Sequence, residues 1–384
     1  MSIAIKAFAQ ELKAVFRDKA VVVILLGGSL FYALFYPLPY QPQVAQSLPI
    51  GVLDHDRSAM SRDLIRRIDA NPSVDVVITV PEVRRLERMV RDGELAGYVE
   101  IPARLHARVL RGEPVRVAVF ANAAYMVLYS ETARAVSEAV LDFNAEIVEQ
   151  RLLMAGRSPV LAENLPEPIA LDRHELFNPD GGYANYIVPA VLVLILQQTF
   201  LIGICMMQVG RSPLPAGLAG ASTLAGRVIA YLLLQVTLLL LYLLLVYRLF
   251  GFPSLGSTGL ALLTLLPAFL AMILLGMALG RFFRTRETAL QVMMLVSIPA
   301  LFLAGFAWPA ELIPWPLDVL GWLIPSTAAI DAFIKTHHMG ASLHEVRASW
   351  LVLWALAAIY GLAAWCFGRA PEQGRLNAGS ASGG

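Results

Sequence analysis

The sequence predicts a polytopic α-helical membrane protein: six transmembrane helices, with a water-exposed α/β domain inserted between the first and the second. Three observations predict it. Of 384 residues, 57% are hydrophobic and 15% charged, whereas a soluble domain is usually about 45–50% apolar and about 25% charged. Six apolar segments of about the length that crosses a bilayer carry no charge in their interiors. The net charge of +1 also conceals a split, because residues 41–182 hold 16 Arg, no Lys and 21 acids while the rest of the chain is basic. An acidic polar block is thus set in a basic apolar frame. These numbers argue against a single soluble enzyme, a disordered chain, a collagen or a disulfide scaffold.

The elements follow in chain order. Residues 1–19 form a leader in which Ile5, Phe8, Leu12 and Val15 recur at helical spacing, opposite Lys6, Gln10, Lys13 and Arg17. That pattern predicts a basic amphipathic helix along the membrane surface. The expected spans are Ala20–Tyr36, Tyr183–Met207, Val228–Tyr247, Leu260–Gly280, Ala289–Trp308 and Trp350–Phe367. A bilayer core of about 30 Å takes about 20 apolar residues. The first is short but is flanked by Tyr32, Tyr36 and Tyr40, which suit the interface. It reads as an uncleaved anchor, since Ala45-Gln46-Ser47 lies too far beyond the apolar stretch to serve as a signal-peptide cleavage site.

Charges on the short flanks set the orientation. Lys6, Lys13, Arg17 and Lys19 precede span one, and Arg211 and Arg227 lie between spans two and three. Arg281, Arg284 and Arg286 lie between spans four and five, and Arg369 and Arg375 follow span six. The opposite flanks carry only Arg248, Lys335 and Arg347. The positive-inside rule then predicts both termini, including the tail 369–384, in the cytoplasm and residues 41–182 outside. Between spans five and six, residues 309–335 hold Trp and Pro in apolar runs too short to cross, and are expected as outer re-entrant pieces.

The outer block reads as alternating strands and helices. Leu48–Leu53, Val74–Val80, Gly97–Ile101 and Val115–Ala121 are expected strands, and Ser58–Ile68, Val83–Arg91 and a short stretch near Ala103–Arg111 expected helices. A long helix from about Ala123 to Ala155 carries apolar residues every three or four positions, a face for its own sheet rather than for another chain. Pro159–Pro168 is a linker back to the membrane.

Chemistry-bearing residues are sparse, and no catalytic residue or metal ligand is assigned. Asp54-His55-Asp56 follows a strand, but no partner set for metal or phosphoryl chemistry accompanies it, and Asp56 reads as a helix N-cap or a turn residue. His337, His338 and His344 lie in an expected outer loop without the spacing of a ligand set. Cys205 and Cys366 read as small buried residues. Polar side chains at membrane depth are few. Asn185, Gln197, Gln198 and Gln291, with the helix-bending Pro299, are the candidates for a translocation pathway, and interhelical bonding is the commoner use of such amides. No ionisable group lies within a span, which argues against proton coupling. No G-x-x-x-x-G-K-[ST] loop occurs, so ATP would have to act on another chain.

The whole order resembles the membrane subunit of bacterial ABC-2 type exporters with a large periplasmic domain after the first span. The stretches that carry the resemblance are "FNPDGGYANYIVPAVLVLILQQTFLIGI", "LPIGVLDHDRSAMSRDLIRRI", "GYVEIPARLHARVLRGEPVRVAVF" with Asn122, and "FLAGFAWPAELIPWPLDVLGWLIPSTAAIDAFI". It covers nearly all of residues 1–370, through the order of its diffuse motifs. It implies an ABC-2 type fold in residues 183–368 and a cytoplasmic ABC ATPase partner that binds ATP and Mg²⁺. It also implies a second permease copy or a paralogue, a place in the bacterial inner membrane, an apolar or amphipathic cargo and, beyond, a periplasmic adaptor and outer-membrane channel. Nucleic acid is not an expected partner. Lys6, Lys13, Arg17, Arg211, Ser212, Pro213 and Leu214 are the implied ATPase-coupling residues. The loop Gln208–Arg227 departs from the acidic stretch the family often has there, since it contains no acid. The alternative is a membrane-anchored binding protein with a periplasmic sensor domain.

Overall fold

Apolar length dictates the larger part of the molecule. The computed structural model describes residues 2–40, 46–154, 177–178, 182–308 and 310–369. The chain divides into two units, Met1–Gln41 with Glu175–Gly384, and Pro42–His174. The proposed linker Pro159–Pro168 and the tail from residue 370 lie outside the described residues.

The membrane unit has six helices long and apolar enough to cross a bilayer: Lys19–Tyr40, Tyr183–Gln208, Gly217–Phe250, Thr258–Phe282, Arg286–Leu303 and Arg347–Gly368. We number them spans one to six. The second is the most buried and forms the centre of the unit. Pro189, Pro267 and Pro299 lie inside spans two, four and five. A polar tie joins the first three spans. Ser29 Oγ is 2.7 Å from Thr199 Oγ1, and the Tyr242 hydroxyl donates to the Ser29 carbonyl at 2.7 Å. Span five ends earlier than its apolar run, because Gly305 turns the chain at φ +78°. Span three begins eleven residues before the expected start, since the small residues of "GLAGASTLAG" extend the helix.

A leader helix, Ile3–Arg17, precedes span one. The face it packs on the protein is not the one that carries Ile5. Ala7, Glu11 and Val15 are buried, whereas Ile5 is exposed and Phe8 and Leu12 are half-buried. The face turns toward the small residues because the helix lies against span three at Gly226, where a Cβ would come 2.2 Å from the Ala4 carbonyl oxygen.

Past span five, a bent pair of helices, Trp315–Trp322 and Pro325–His338, turns by 82°. Two further expectations are corrected here. His337 and His338 belong to the buried end of the second helix, not to an outer loop. His337 stacks on Phe333 and lies edge-on to Tyr247, with its Nε2 3.2 Å from Ser254 Oγ. Cys366 is exposed, whereas Cys205 is buried.

The second unit is an α/β domain with strands β1 (Leu48–Asp54), β2 (Val74–Thr79), β3 (Gly97–Ile101) and β4 (Ala118–Ala121) in the order β2-β1-β3-β4. The first three are parallel and β4 is antiparallel to β3. Alternation along β1 fills both faces. Ile50 and Val52 meet the helices Ala59–Asp69 and Met126–Met154, while Leu53 faces the side covered by Val83–Arg91. Gly51 points to that second side, where a Cβ would meet Leu86 Cδ2 at 2.3 Å. The long helix covers its own sheet through Ala135, Val136, Ala139 and Phe143. Arg67 bonds Asp63 and Glu146, and so ties the two helices of that face. A planar fork suits such pairs. Asp56 is the turn residue of the two expected roles and not the helix cap, since it lies in the bend before the helix. Ser58 caps Ala59–Asp69, Asp54 accepts from Asp56 N, Arg57 N and Ser61 Oγ, and Asp56 accepts from His106 N at 3.2 Å.

Candidate functional site

A cluster of charged residues forms where the leader, the loop after span two, the first part of span three and the end of span four meet. Glu11 is the centre. Its side chain is 1% exposed and held by groups far along the chain. Arg211 grips both carboxylate oxygens, through Nη1 on Oε1 at 2.7 Å and Nη2 on Oε2. The Tyr231 hydroxyl donates to Oε1 at 2.7 Å, and Arg227 Nε lies 3.8 Å from Oε2. A bidentate arginine with a third donor is the arrangement that lets a carboxylate be buried.

The loop is fixed from the other side as well. Arg281, at the end of span four, donates to the Arg211 carbonyl at 2.6 Å and the Ser212 carbonyl at 3.3 Å. The Leu214 N–H donates to the Gly368 carbonyl at 2.7 Å, tying the loop to the end of span six. Asp18, in the elbow between leader and span one, accepts from Val21 N at 3.2 Å and pairs with Arg286 at the start of span five. The leader is therefore bonded to span three through Glu11 and to span five through Asp18.

Electrostatics follow from this geometry. Burial opposes the charge of Arg211, but the Glu11 carboxylate and the Tyr231 hydroxyl more than offset it and hold the guanidinium above its ordinary pKa. Burial likewise works to raise Asp18, and Arg286 with the amides of Val21 and Ala20 outweighs it, keeping the carboxyl below its ordinary value. One acid faces Arg211, Arg227 and the nearby Arg281, so the site carries an excess of positive charge.

Of the residues expected here, Arg211 belongs to this cluster and Leu214 is buried on Gly368. Lys6, Lys13, Arg17, Ser212 and Pro213 are exposed around it. Glu11, Asp18, Tyr231 and Arg281 were not among the expected coupling residues. Their signal is present in the sequence: Glu11 falls at four-residue spacing between Ala7 and Val15, and a loop rich in arginine without an acid needs one from elsewhere.

The expected pathway residues are not brought together. Gln197 donates to Ser326 Oγ at 2.9 Å and accepts from Ser326 N at 2.6 Å, so it fixes the start of Pro325–Phe333, whose own flanking residue, Ile324, offers no side-chain cap. Asn185 is buried and bonds Asn178 at 3.1 Å. Gln198 is buried with neither amide atom hydrogen-bonded. Gln291 and Pro299 are exposed on span five.

Six apolar helices long enough to cross a bilayer, a leader bonded into a loop cluster and an α/β domain inserted between the first two describe a multi-pass helical membrane protein. Residues 19–366 match the family described as ABC-2 family transporter protein, and the chain belongs to that family. It is accordingly the membrane subunit of an ABC transporter, working with an ABC ATPase subunit. No curated protein matches the chain.

Proposed function

We propose that the chain is the permease of an exporter that moves an apolar or amphipathic molecule, drug-like or lipid-like, out of the cytoplasm or the inner membrane. A separate cytoplasmic ATPase binds ATP and Mg²⁺ and drives it. In this reading both termini face the bacterial cytoplasm and the inserted domain faces the periplasm, where an adaptor and an outer-membrane channel extend the route. A second copy or a paralogue completes the pathway.

The observation that carries the reading is the buried Glu11 cluster. An ATPase that displaces the exposed face around Lys6, Lys13, Arg17, Ser212 and Pro213 cannot move it without moving Arg227 and Tyr231 of span three. ATP then shifts the membrane subunits between two states by the contacts it makes in each. Arg211 and Arg227 between spans two and three, Arg281, Arg284 and Arg286 between spans four and five, and Arg369 after span six support the orientation. Gln291 supports a second subunit or pathway on span five, because an amide left facing lipid is costly.

The test begins with mild-detergent purification, which recovers an ATP-binding partner; recovery of the chain alone argues against the reading. The triple variant Glu11→Met with Arg211→Met and Arg227→Met removes the three charges together, so that none is left buried without its partner. ATP hydrolysis by the complex then continues while transport falls, and retained transport removes the cluster from the mechanism. In a background with Cys205→Ala and Cys366→Ala, Arg284→Cys labels from the cytoplasm and Arg88→Cys from outside. The reverse pattern overturns the orientation.

A further inference from the structure

A second site lies at the opposite end of the membrane unit, where the bent helix pair packs on the end of span five. It is a cavity of about 210 Å³ whose walls are largely apolar, among them Phe306, Trp322, Ile330 and Ile334. The walls are built rather than casual. Gly321 lets the first helix approach span five so closely that a Cβ would lie 2.8 Å from the Leu303 carbonyl oxygen. The Tyr360 hydroxyl donates to the Leu323 carbonyl at 2.5 Å, and Gln197 holds Ser326 from span two.

Three charged side chains among the described residues line this apolar space: Asp318, Asp331 and Lys335. Two of them answer each other. Lys335 Nζ is 2.7 Å from Asp331 Oδ1, and Asp331 Oδ2 accepts from Ser349 Oγ. Asp318 is half-buried, and no side chain is bonded to its carboxylate in the described structure. The cavity therefore carries one net negative charge beside an aromatic wall. Thr327, 8% exposed, lines it too, and its hydroxyl is buried without a hydrogen-bond partner. An unpaired carboxylate, a π face and a hydroxyl lacking a partner in one apolar cavity suit a protonated amine attached to an aromatic or aliphatic body. The carboxylate attracts the charge, and a lining that includes Phe306 and Trp322 favours a cation over an anion. An anion of the same shape meets repulsion, and a neutral molecule gains only the apolar contact.

We infer that this cavity binds amphipathic amines in their cationic form, with the ammonium at Asp318 and the apolar body against Phe306 and Trp322. As a cargo subsite it rests on the exporter reading and narrows that cargo to organic cations.

The test is binding of 4-(4-bromophenyl)butylammonium to the purified full chain in a neutral maltoside, read as quenching of tryptophan fluorescence by the bromoaryl group. Quenching is expected to saturate and to be mostly lost in Trp322→Phe. The matched carboxylate, 5-(4-bromophenyl)pentanoate, binds about tenfold more weakly or worse, a difference of about 1.4 kcal/mol. Asp318→Asn, a near-isosteric change at a half-exposed position, removes that preference. Lys335→Gln frees the Asp331 charge and tightens ammonium binding, a direction that a purely structural role does not produce. Equal affinity for ammonium and carboxylate, or an unchanged preference in Asp318→Asn, overturns the inference. The assay contains no ATPase, so its failure removes the cavity and leaves the exporter reading to its own test.

Discussion

The two ends of the membrane unit are held by different chemistry. At the leader end, the elements are joined by ionised groups: Glu11 with Arg211 and Arg227, Asp18 with Arg286, and Arg281 on the loop carbonyls. At the other end they are joined mostly by neutral bonds: Gln197 with Ser326, Tyr186 with the Phe306 carbonyl, His337 with Ser254. A buried ion pair is close to all-or-none, because removing one partner strands the other. Neutral bonds fail one at a time, for about 1 kcal/mol each. The leader end is thus built to move as a block. The opposite end can adjust locally around its cavity.

The sharpest way to break this contrast is at Glu11. Glu11→Leu leaves Arg211 and Arg227 unpaired, and is expected to cost about 3–5 kcal/mol in a detergent melt. Glu11→Gln, which keeps the hydrogen-bonding shape, should fall well short of that. If the two variants melt alike, charge is not what holds the block together.

A matched pair of glycines compares the ends directly. A Cβ at Gly226 would lie 2.2 Å from the Ala4 carbonyl oxygen, and one at Gly256 would lie 1.8 Å from the Thr336 carbonyl oxygen. Each alanine substitution is expected to cost up to about 3 kcal/mol by overpacking. The consequences should differ. Gly226→Ala pushes the leader off span three and exposes it to protease, while Gly256→Ala strains a loop without freeing an element. Equal proteolysis of the leader in both variants would erase the distinction. Gln197→Leu belongs to the neutral end. It removes two bonds and leaves Ser326 N–H buried and unsatisfied, for about 2 kcal/mol, with the leader still protected.

The sequence was more legible in the spans than in the contacts between them. Hydropathy located six spans because burial in lipid demands long apolar runs, whatever their neighbours. It placed the start of span three too late, since "GLAGASTLAG" matters for its small size and not for its hydropathy. It carried span five past Gly305 for the converse reason, as Phe306 and Trp308 stay apolar after the helix has ended. The alternation of β1 was readable as a strand with two buried faces only in part, because Gly51 gives no apolar signal. Glu11 was the largest omission. The leader shows an amphipathic pattern whose apolar side holds Ile5, but close approach to span three selects Ala7 and Val15, and the carboxylate between them is explained only by Arg211, 200 residues away.

The smallest expected effect tests the second ionic contact of the leader end. Asp18 and Arg286 are partly exposed, so their pairing is expected to contribute about 1 kcal/mol or less. The Asp18 carboxyl is held below its ordinary pKa in the folded chain. Its contribution is therefore complete above the ordinary range, at about pH 4 and higher, and is lost only as the pH falls through the lower folded value. Wild type and Asp18→Asn should differ by a constant small amount in melting between pH 7 and pH 5, and converge below about pH 4. Convergence already between pH 7 and pH 5 would mean that Arg286 does not hold the carboxylate, leaving Glu11 as the one buried ionic tie of the leader among the described residues.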